Sequence, residues 1–426
     1  MRFDAYGTTL LRQGFAVLTL LDGGASVTRT PLGPPPGRRV GHGPTPPNLR
    51  ERQAMEALRF GLVPYAALDE MTLGYGHLHA WISSRLPETH NGTPQVSAVF
   101  GPFGAGKSHA MAVIRQVAER RGYLTARVEV DGQTVSLAEP EKLLHALWGT
   151  LRGETFTSAT PLLDLYIAAA NKWKSVPAVA PKGIDRTLHN FTVIKEAVRR
   201  DAIGDHGEAL DAVLASSPTV SASAVNNQLR VAKVMRTGEM ATMKRIIGSR
   251  VDERPYDFVE ALAGHAIMAE RAGHQGIVLT IDEFEVDQSL LAPAKRQQLV
   301  RLLQVLSQYL KGNTDHRAAP VALFFATVGE DGHTGDRVIE QLISDRPEAR
   351  YNLHPWLPEE DLRDLAGKIN RLYAAAYGLT EAIDSALVAR VEADLDAMGS
   401  GDSGLIRAFI KRYVGALDVR YGPRKV

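Results

Sequence analysis

Apolar residues in this chain occur in two textures, and the alternation between them predicts the architecture. Short, nearly unbroken apolar runs occur at Val96–Phe100, Ile277–Ile281 and Val321–Thr327, each bounded by glycine, proline or a charged residue. Runs of this kind, rich in Val, Ile and Phe, predict parallel strands covered by helices on both faces. Leu124–Val130 alternates more and predicts a further strand. Elsewhere the apolar residues recur at helical spacing. Ala54, Leu58 and Leu62 place a helix before Pro64, and a second is expected from Tyr65 to Trp81, followed by a polar loop around Pro87 to Pro94. Helices are also expected at Leu143–Leu151, Pro293–Tyr309, Glu359–Tyr377, Glu381–Met398 and Ser403–Leu417. Between positions 151 and 272 the periodicity is helical throughout, at Leu162–Ile167, Val193–Val198, Leu210–Leu214 and Val231–Ile247, with no alternating strand pattern. The pattern near the start differs. Asp22-Gly23-Gly24 lies between Val17, Thr19, Val27 and Thr28 and predicts a β-hairpin, and Pro31–Pro47 is a proline- and glycine-rich linker or extended arm.

The connection after the first strand carries the most specific chemistry. Residues 101–109 read Gly101-Pro102-Phe103-Gly104-Ala105-Gly106-Lys107-Ser108-His109 and open a helical segment containing Met111, Val113, Ile114 and Val117. This is G-x-x-x-x-G-K-[ST] in a strand-to-helix context, the phosphate-binding P-loop. Glycines allow the backbone to fold tightly enough for its N–H groups to surround a polyphosphate at the positive end of the helix. Lys107 is expected to reach the β- and γ-phosphates of ATP, and the Ser108 hydroxyl to ligate Mg²⁺.

A second half-site lies at the end of the Ile277 strand, where Asp282 and Glu283 emerge, followed by Phe284 and Glu285. Ligands of open α/β sheets bind beyond the C-terminal ends of the strands. Asp282 fits a carboxylate holding Mg²⁺ through water, and Glu283 a base that orients or deprotonates an attacking water, so the expected reaction is ATP hydrolysis. Glu285 and Asp287 read as surface charges. Thr327, at the end of the Val321 strand, either caps that strand or reaches the γ-phosphate or the water.

Composition narrows the alternatives. The chain of 426 residues exceeds one ordinary core, so more than one structural unit is expected. The absence of cysteine excludes disulfides, thiolate zinc and iron–sulfur clusters, and the 13 histidines show no ligand spacing, leaving Mg²⁺ carried by the nucleotide as the expected metal. A net charge of +1 neither requires nor excludes nucleic acid. Lys233, Arg236, Lys244, Arg245 and Arg250 put cations on the helical insertion, and Lys411, Arg412, Arg420, Arg424 and Lys425 put others near the end, readable as solvated surface or phosphate contacts. The apolar stretch Phe15–Leu21 is too short to span a membrane and lacks the flanks of a secretion signal, so a cytoplasmic location is expected.

The separation of Lys107 from Asp282 exceeds that of a compact P-loop domain, so the segment between them is read as an insertion. The resulting expectation is an α/β P-loop NTPase with a parallel sheet, divided into an N-terminal hairpin and arm at 1–47, a first core part at 48–150, a helical insertion at 151–272, a second core part at 273–354 and an α-helical lid at 355–426.

These pieces resemble an additional-strand ATPase of the AAA+ class, of the origin-recognition and helicase-loader branch. Arg52-Gln-Ala-Met-Glu-Ala-Leu-Arg-Phe-Gly-Leu-Val-Pro64, Phe100-Gly-Pro-Phe-Gly-Ala-Gly-Lys-Ser-His109 and Leu279-Thr-Ile-Asp-Glu-Phe-Glu285 more closely resemble the ATP-binding proteins of the bacteriophage-exclusion (BREX) systems, BrxD-like members in particular. The likeness runs from about Leu49 to Leu417 and is densest at the P-loop. It implies that Thr327 is sensor 1 and that Arg407, on the last helix, is sensor 2, reaching the γ-phosphate from the lid. It also implies an arginine finger after the sensor 1 strand, at Arg346 or alternatively Arg350, acting on a neighbouring subunit's ATP. A homo-oligomer, a helicase or defence-complex protein partner, and DNA contacted directly or through that partner are the implied associates. Two functions remain open at this point. One is a hydrolysing ATPase that loads or regulates a helicase or other DNA-processing partner; the other is a nucleotide-dependent scaffold or switch with little turnover.

Overall fold

The computed structural model describes residues 48–422, apart from 88–92, 132–133, 174–183, 202, 232–241, 284–291, 311–318, 329–333, 355–357, 380–385 and 397–404. The N-terminal hairpin and arm, Lys233, Arg236, Phe284, Glu285, Asp287, Arg424 and Lys425 lie outside the described residues. Those described belong to one compact unit.

Its centre is a five-stranded sheet in the order β2-β3-β4-β1-β5, formed by β1 (Gln95–Phe100), β2 (Leu124–Glu129), β3 (Ile277–Asp282), β4 (Val321–Thr327) and β5 (Arg350–Asn352). Every pairing is parallel. The apolar runs form strands because both of their faces are covered. Ile277, Leu279 and Ile281 enter one apolar cluster, whereas Val278 enters another together with Val99, Ala322 and Phe324. β4 separates the P-loop strand β1 from β3, which is the additional-strand arrangement of an α/β P-loop NTPase.

Helices α1 (Leu49–Arg59), α2 (Leu68–Met71) and α3 (Tyr75–Arg85) precede the sheet. The helix expected from Tyr65 to Trp81 is broken. A 3-10 turn at Tyr65–Ala67 leads into α2, and Thr72 turns extended before Gly74, whose φ of 56° suits glycine, starts α3. α4 (Lys107–Arg120) follows the P-loop, and α5 (Pro140–Trp148) follows β2.

The segment between α5 and β3 contributes α6 (Pro161–Lys172), α7 (Asp185–Arg199), α8 (Gly207–Leu214), α9 (Ala222–Val231) and α10 (Arg254–Ala272). Their apolar faces join the same cluster as β3 and β4, so this segment shares its core with the sheet. Helix was also expected through Ile247, but residues 242–247 are irregular. Asn226 and Asn190 explain this locally. Their amides bond both the N–H and the carbonyl of Met243 and Lys244 at 2.8–2.9 Å, replacing the intrahelical bonds while Met243, Ile246 and Ile247 remain buried.

After β3 come α11 (Pro293–Leu310) and, beyond β4, α12 (Thr334–Ile343). The last elements are α13 (Glu359–Tyr377), α14 (Ala386–Asp396) and α15 (Leu405–Tyr421). α1 packs into this group: Ala54, Met55 and Leu58 share an apolar cluster with Ile369, Tyr373, Phe409 and Val414. Arg59 of α1 completes the join through a two-pronged pair with Asp418 at 2.7 and 2.8 Å and a bond to the Tyr377 hydroxyl.

Burial also sets an acid limit on stability. His265 of α10 is fully buried against Trp148 and Tyr166, with its Nδ1 2.7 Å from the Ala261 carbonyl, and burial holds its pKa at about 4. The unfolded chain, with an ordinary imidazole, therefore binds a proton that the native state refuses. This contribution to stability is intact above about pH 6.5 and is lost towards pH 4, at about 1.4 kcal/mol per pH unit. Asp211 acts in the opposite direction, because burial raises its carboxyl to about 6 and the native state takes up that proton first. Replacing His265 by Gln should therefore flatten the fall of the thermal midpoint between pH 6.5 and 4.5. An unchanged slope in that variant would contradict the assignment.

Candidate functional site

The P-loop leaves the end of β1, and local geometry explains its composition. A Cβ at Gly101 would lie 2.9 Å from the Leu353 Cβ, so the close approach of the residue after β5 requires glycine there. Gly104 and Gly106 have φ of 79° and 99°, left-handed values that coil residues 102–106 before α4 starts at Lys107. The first-turn N–H groups of α4 and its positive end therefore face the loop. Ser108 is exposed on that turn.

Lys107 lies inside the curve. Only 7% of its surface is exposed, its Nζ donates to the Gly101 and Pro102 carbonyls at 2.9 and 3.3 Å, and the Phe103 ring is 5.0 Å away. The loop thus holds an ammonium at its own centre.

Sheet register brings the second half-site beside it. Phe100 pairs with Thr327 and Ile281 with Phe325, so Gly101, Thr327 and Asp282–Glu283 end neighbouring strands at one level. The Gly101 N–H donates to the Thr327 carbonyl at 3.1 Å, tying the loop to β4. Thr327 itself is fully buried. With strands about 4.8 Å apart, β1 and β3 place the Lys107 loop and Asp282 about 10 Å from one another across β4.

Glu283 is exposed and adopts φ 57°, a left-handed value that a glutamate rarely takes. Its N–H donates to Asp282 Oδ1 at 3.0 Å, which fixes the turn in which the two acids separate. Strained backbone of this kind concentrates at functional sites.

The donor set fits a Mg²⁺-nucleotide. A coil of N–H groups, a central ammonium, an exposed hydroxyl at Ser108 and a half-buried carboxylate at Asp282 are the groups that a metal-bound triphosphate engages. Among the described residues no group of three His, Cys, Asp or Glu side chains could hold a metal alone. A Mg²⁺ ion would therefore take most of its ligands from phosphate and water.

Other contacts place the three arginines expected at the site. Arg346 is half-buried after α12, 3.5 Å from the Leu310 carbonyl. Arg350 on β5 bonds Asn352 and Glu340, and its guanidinium lies 4.0 Å from the centre of the Phe100 ring. The Arg407 stem packs over Gly61, just after α1.

Two supporting residues were not apparent from sequence. Arg115, two turns along α4, is 4% exposed and donates to the Thr280 hydroxyl at 3.1 Å and the Tyr65 hydroxyl at 3.3 Å. Burial, with Arg127 and Arg152 nearby, lowers its pKa. It thereby anchors β3 two residues before Asp282 to the segment following α1. The other is Thr72, whose hydroxyl meets His109 at 2.7 Å. Each depends on contact between elements far apart in the chain, and no local pattern marks them.

Residues 47–325 match the model of one protein family, described as BREX system ATP-binding protein BrxC/D. The matched stretch includes the P-loop, the helices α6 to α10 and the Asp282–Glu283 strand, and it ends within β4, short of Thr327 and the last helices. No curated protein matches the chain. No described helix is long and apolar enough to cross a membrane.

Proposed function

The chain belongs to the BREX system ATP-binding protein BrxC/D family, an ATP-binding family of phage defence, and on that premise we propose that it binds ATP at the P-loop and hydrolyses it. The observation that carries the second step is the placement of Asp282 and strained Glu283 level with the loop, one strand removed. A site that only sensed nucleotide would have no use for a base there.

In this reading the N–H groups of residues 103–108 and the Lys107 ammonium receive the phosphates. The phosphate oxygens would replace the Gly101 and Pro102 carbonyls as acceptors for Nζ, so the lysine needs little rearrangement. The Ser108 hydroxyl and, through water, Asp282 would hold Mg²⁺, which would neutralise phosphate charge. The Glu283 carboxylate orients a water for in-line attack and accepts its proton. Thr327 fits the polar contact to the γ-phosphate, and Arg407 the cation brought from the last helices. Arg346, or Arg350, would serve the ATP of a neighbouring copy in a homo-oligomer.

BREX membership supports work within a complex of defence proteins, with a helicase or other DNA-processing machine as partner and DNA reached directly or through it. ATP binding would organise the assembly and hydrolysis would reset it. The test is phosphate release from the purified chain with and without Mg²⁺ and with single- or double-stranded DNA, alongside particle size with and without ATP. Mg²⁺-dependent turnover accompanied by ATP-dependent growth of the particle is expected. Saturating ATP binding without turnover would leave the scaffold reading in its place.

A further inference from the structure

His109 directly follows Ser108, yet its ring bonds away from the loop, to Thr72. The Thr72 hydroxyl donates to the Leu68 carbonyl at 2.6 Å, so at 2.7 Å from His109 Nε2 it can only accept. Nε2 therefore carries a proton, and burial, which holds the imidazole's pKa at about 4, keeps the ring neutral at pH 7.

Thr72 is 4% exposed and ends α2, a helix divided between two cores. Leu68 enters the cluster formed with α4 and the sheet, whereas Met71, with Ala67, enters the cluster formed by α1, α13 and α15. The Thr72 carbonyl also receives Lys368 Nζ of α13 at 3.4 Å, and Lys368 is 3.7 Å from Asp364 on the same helix. A continuous polar chain therefore runs from the first turn of α4, through His109 and Thr72, to α13, and it crosses where the two cores meet.

We propose that His109 and Thr72 are positioning residues forming a latch that couples phosphate engagement at the first turn of α4 to the placement of the C-terminal helices. His109 contributes its backbone to the loop and its ring to Thr72, while the nucleotide contacts its neighbours Lys107 and Ser108. When those neighbours engage phosphate, the turn carrying His109 is fixed, and Thr72 carries that position to α13. This inference rests on the ATP-hydrolysis reading.

The experiment combines the full-length chain with Thr72→Val, Thr72→Ser, His109→Ala and the Val/Ala double variant. It measures fluorescent-ATP affinity, kcat and KM, and the hydrogen exchange of residues 359–377 with and without ATP. Thr72→Val keeps the shape and deletes the acceptor. Its ATP affinity should stay within about threefold of wild type while kcat falls about tenfold, and ATP should no longer slow exchange in α13. Thr72→Ser should restore both, and the double variant should be no worse than the more affected single variant, because the two residues act as one unit. A role confined to stability would lower the thermal midpoint without separating affinity from turnover. Wild-type kcat and ATP-dependent α13 protection in Thr72→Val, or additive losses in the double variant, would overturn the latch. Lys107→Ala separates this failure from the other: if it keeps its ATP affinity, the ATP reading itself is wrong.

Discussion

Lys107→Ala should yield a folded protein whose affinity for ATP is lower by two to three orders of magnitude. Lys107 is 7% exposed and its ammonium sits on the Gly101 and Pro102 carbonyls, so the loop already holds a positive charge where two phosphates would meet. Charge-assisted hydrogen bonds of this kind contribute about 1.5–3 kcal/mol each, and a lysine bridging two phosphates makes more than one. The fold should tolerate the change. Gly104 and Gly106 set the loop's curvature, and the Gly101 N–H bond to Thr327 anchors its start, neither of which uses the lysine side chain. Equilibrium titration with a fluorescent ATP analogue, beside a thermal melt, checks both parts. Unchanged affinity in a protein with a wild-type melt would remove the P-loop from the binding site.

The loop and the strands were readable from sequence for one physical reason: a parallel strand sandwiched between helices must be apolar on both sides, which leaves a run that little else produces. Val321–Thr327 and the segment around Ile277 therefore reappear as β4 and β3. β5 was not anticipated, because it is three residues long and Arg350 and Asn352 are exposed, so it carries no apolar signature. The break in the helix expected after Tyr65 is a second instance. Thr72-Leu73-Gly74 is a weak local signal, and the break separates Met71, in the cluster of the C-terminal helices, from Leu78 and Ile82, in the cluster with the sheet. Residues 242–247 lose their helix to Asn190 and Asn226, whose amides act across sequence distances that no local window spans. The candidate site divides in the same way. Lys107, Ser108, Asp282 and Glu283 announce themselves by motif and by their place at strand ends, whereas the partners of Arg346, Arg350 and Arg407 depend on which element happens to pack beside them.

Glu283→Gln should bind ATP and Mg²⁺ with affinity close to wild type and hydrolyse it about 10²–10⁴-fold more slowly. The amide has the size of the carboxylate and still accepts a hydrogen bond from water, but it cannot take a proton. The left-handed turn at φ 57° and the bond from the Glu283 N–H to Asp282 Oδ1 are backbone features, so glutamine preserves them and Asp282 stays in place. Since Glu283 is exposed beside the loop, the change should cost little stability. Single-turnover measurement separates chemistry from product release, and the loss should appear in the chemical step. If hydrolysis resets an ATP-organised assembly, the same variant should remain in the larger particle long after wild type has dispersed. Asp282→Asn gives the contrasting pattern, weakening the Mg²⁺ dependence of binding itself, because that carboxylate is assigned to the metal and not to the proton. Wild-type single-turnover rates in Glu283→Gln would move the base elsewhere, and the strain at position 283 would then need a different explanation.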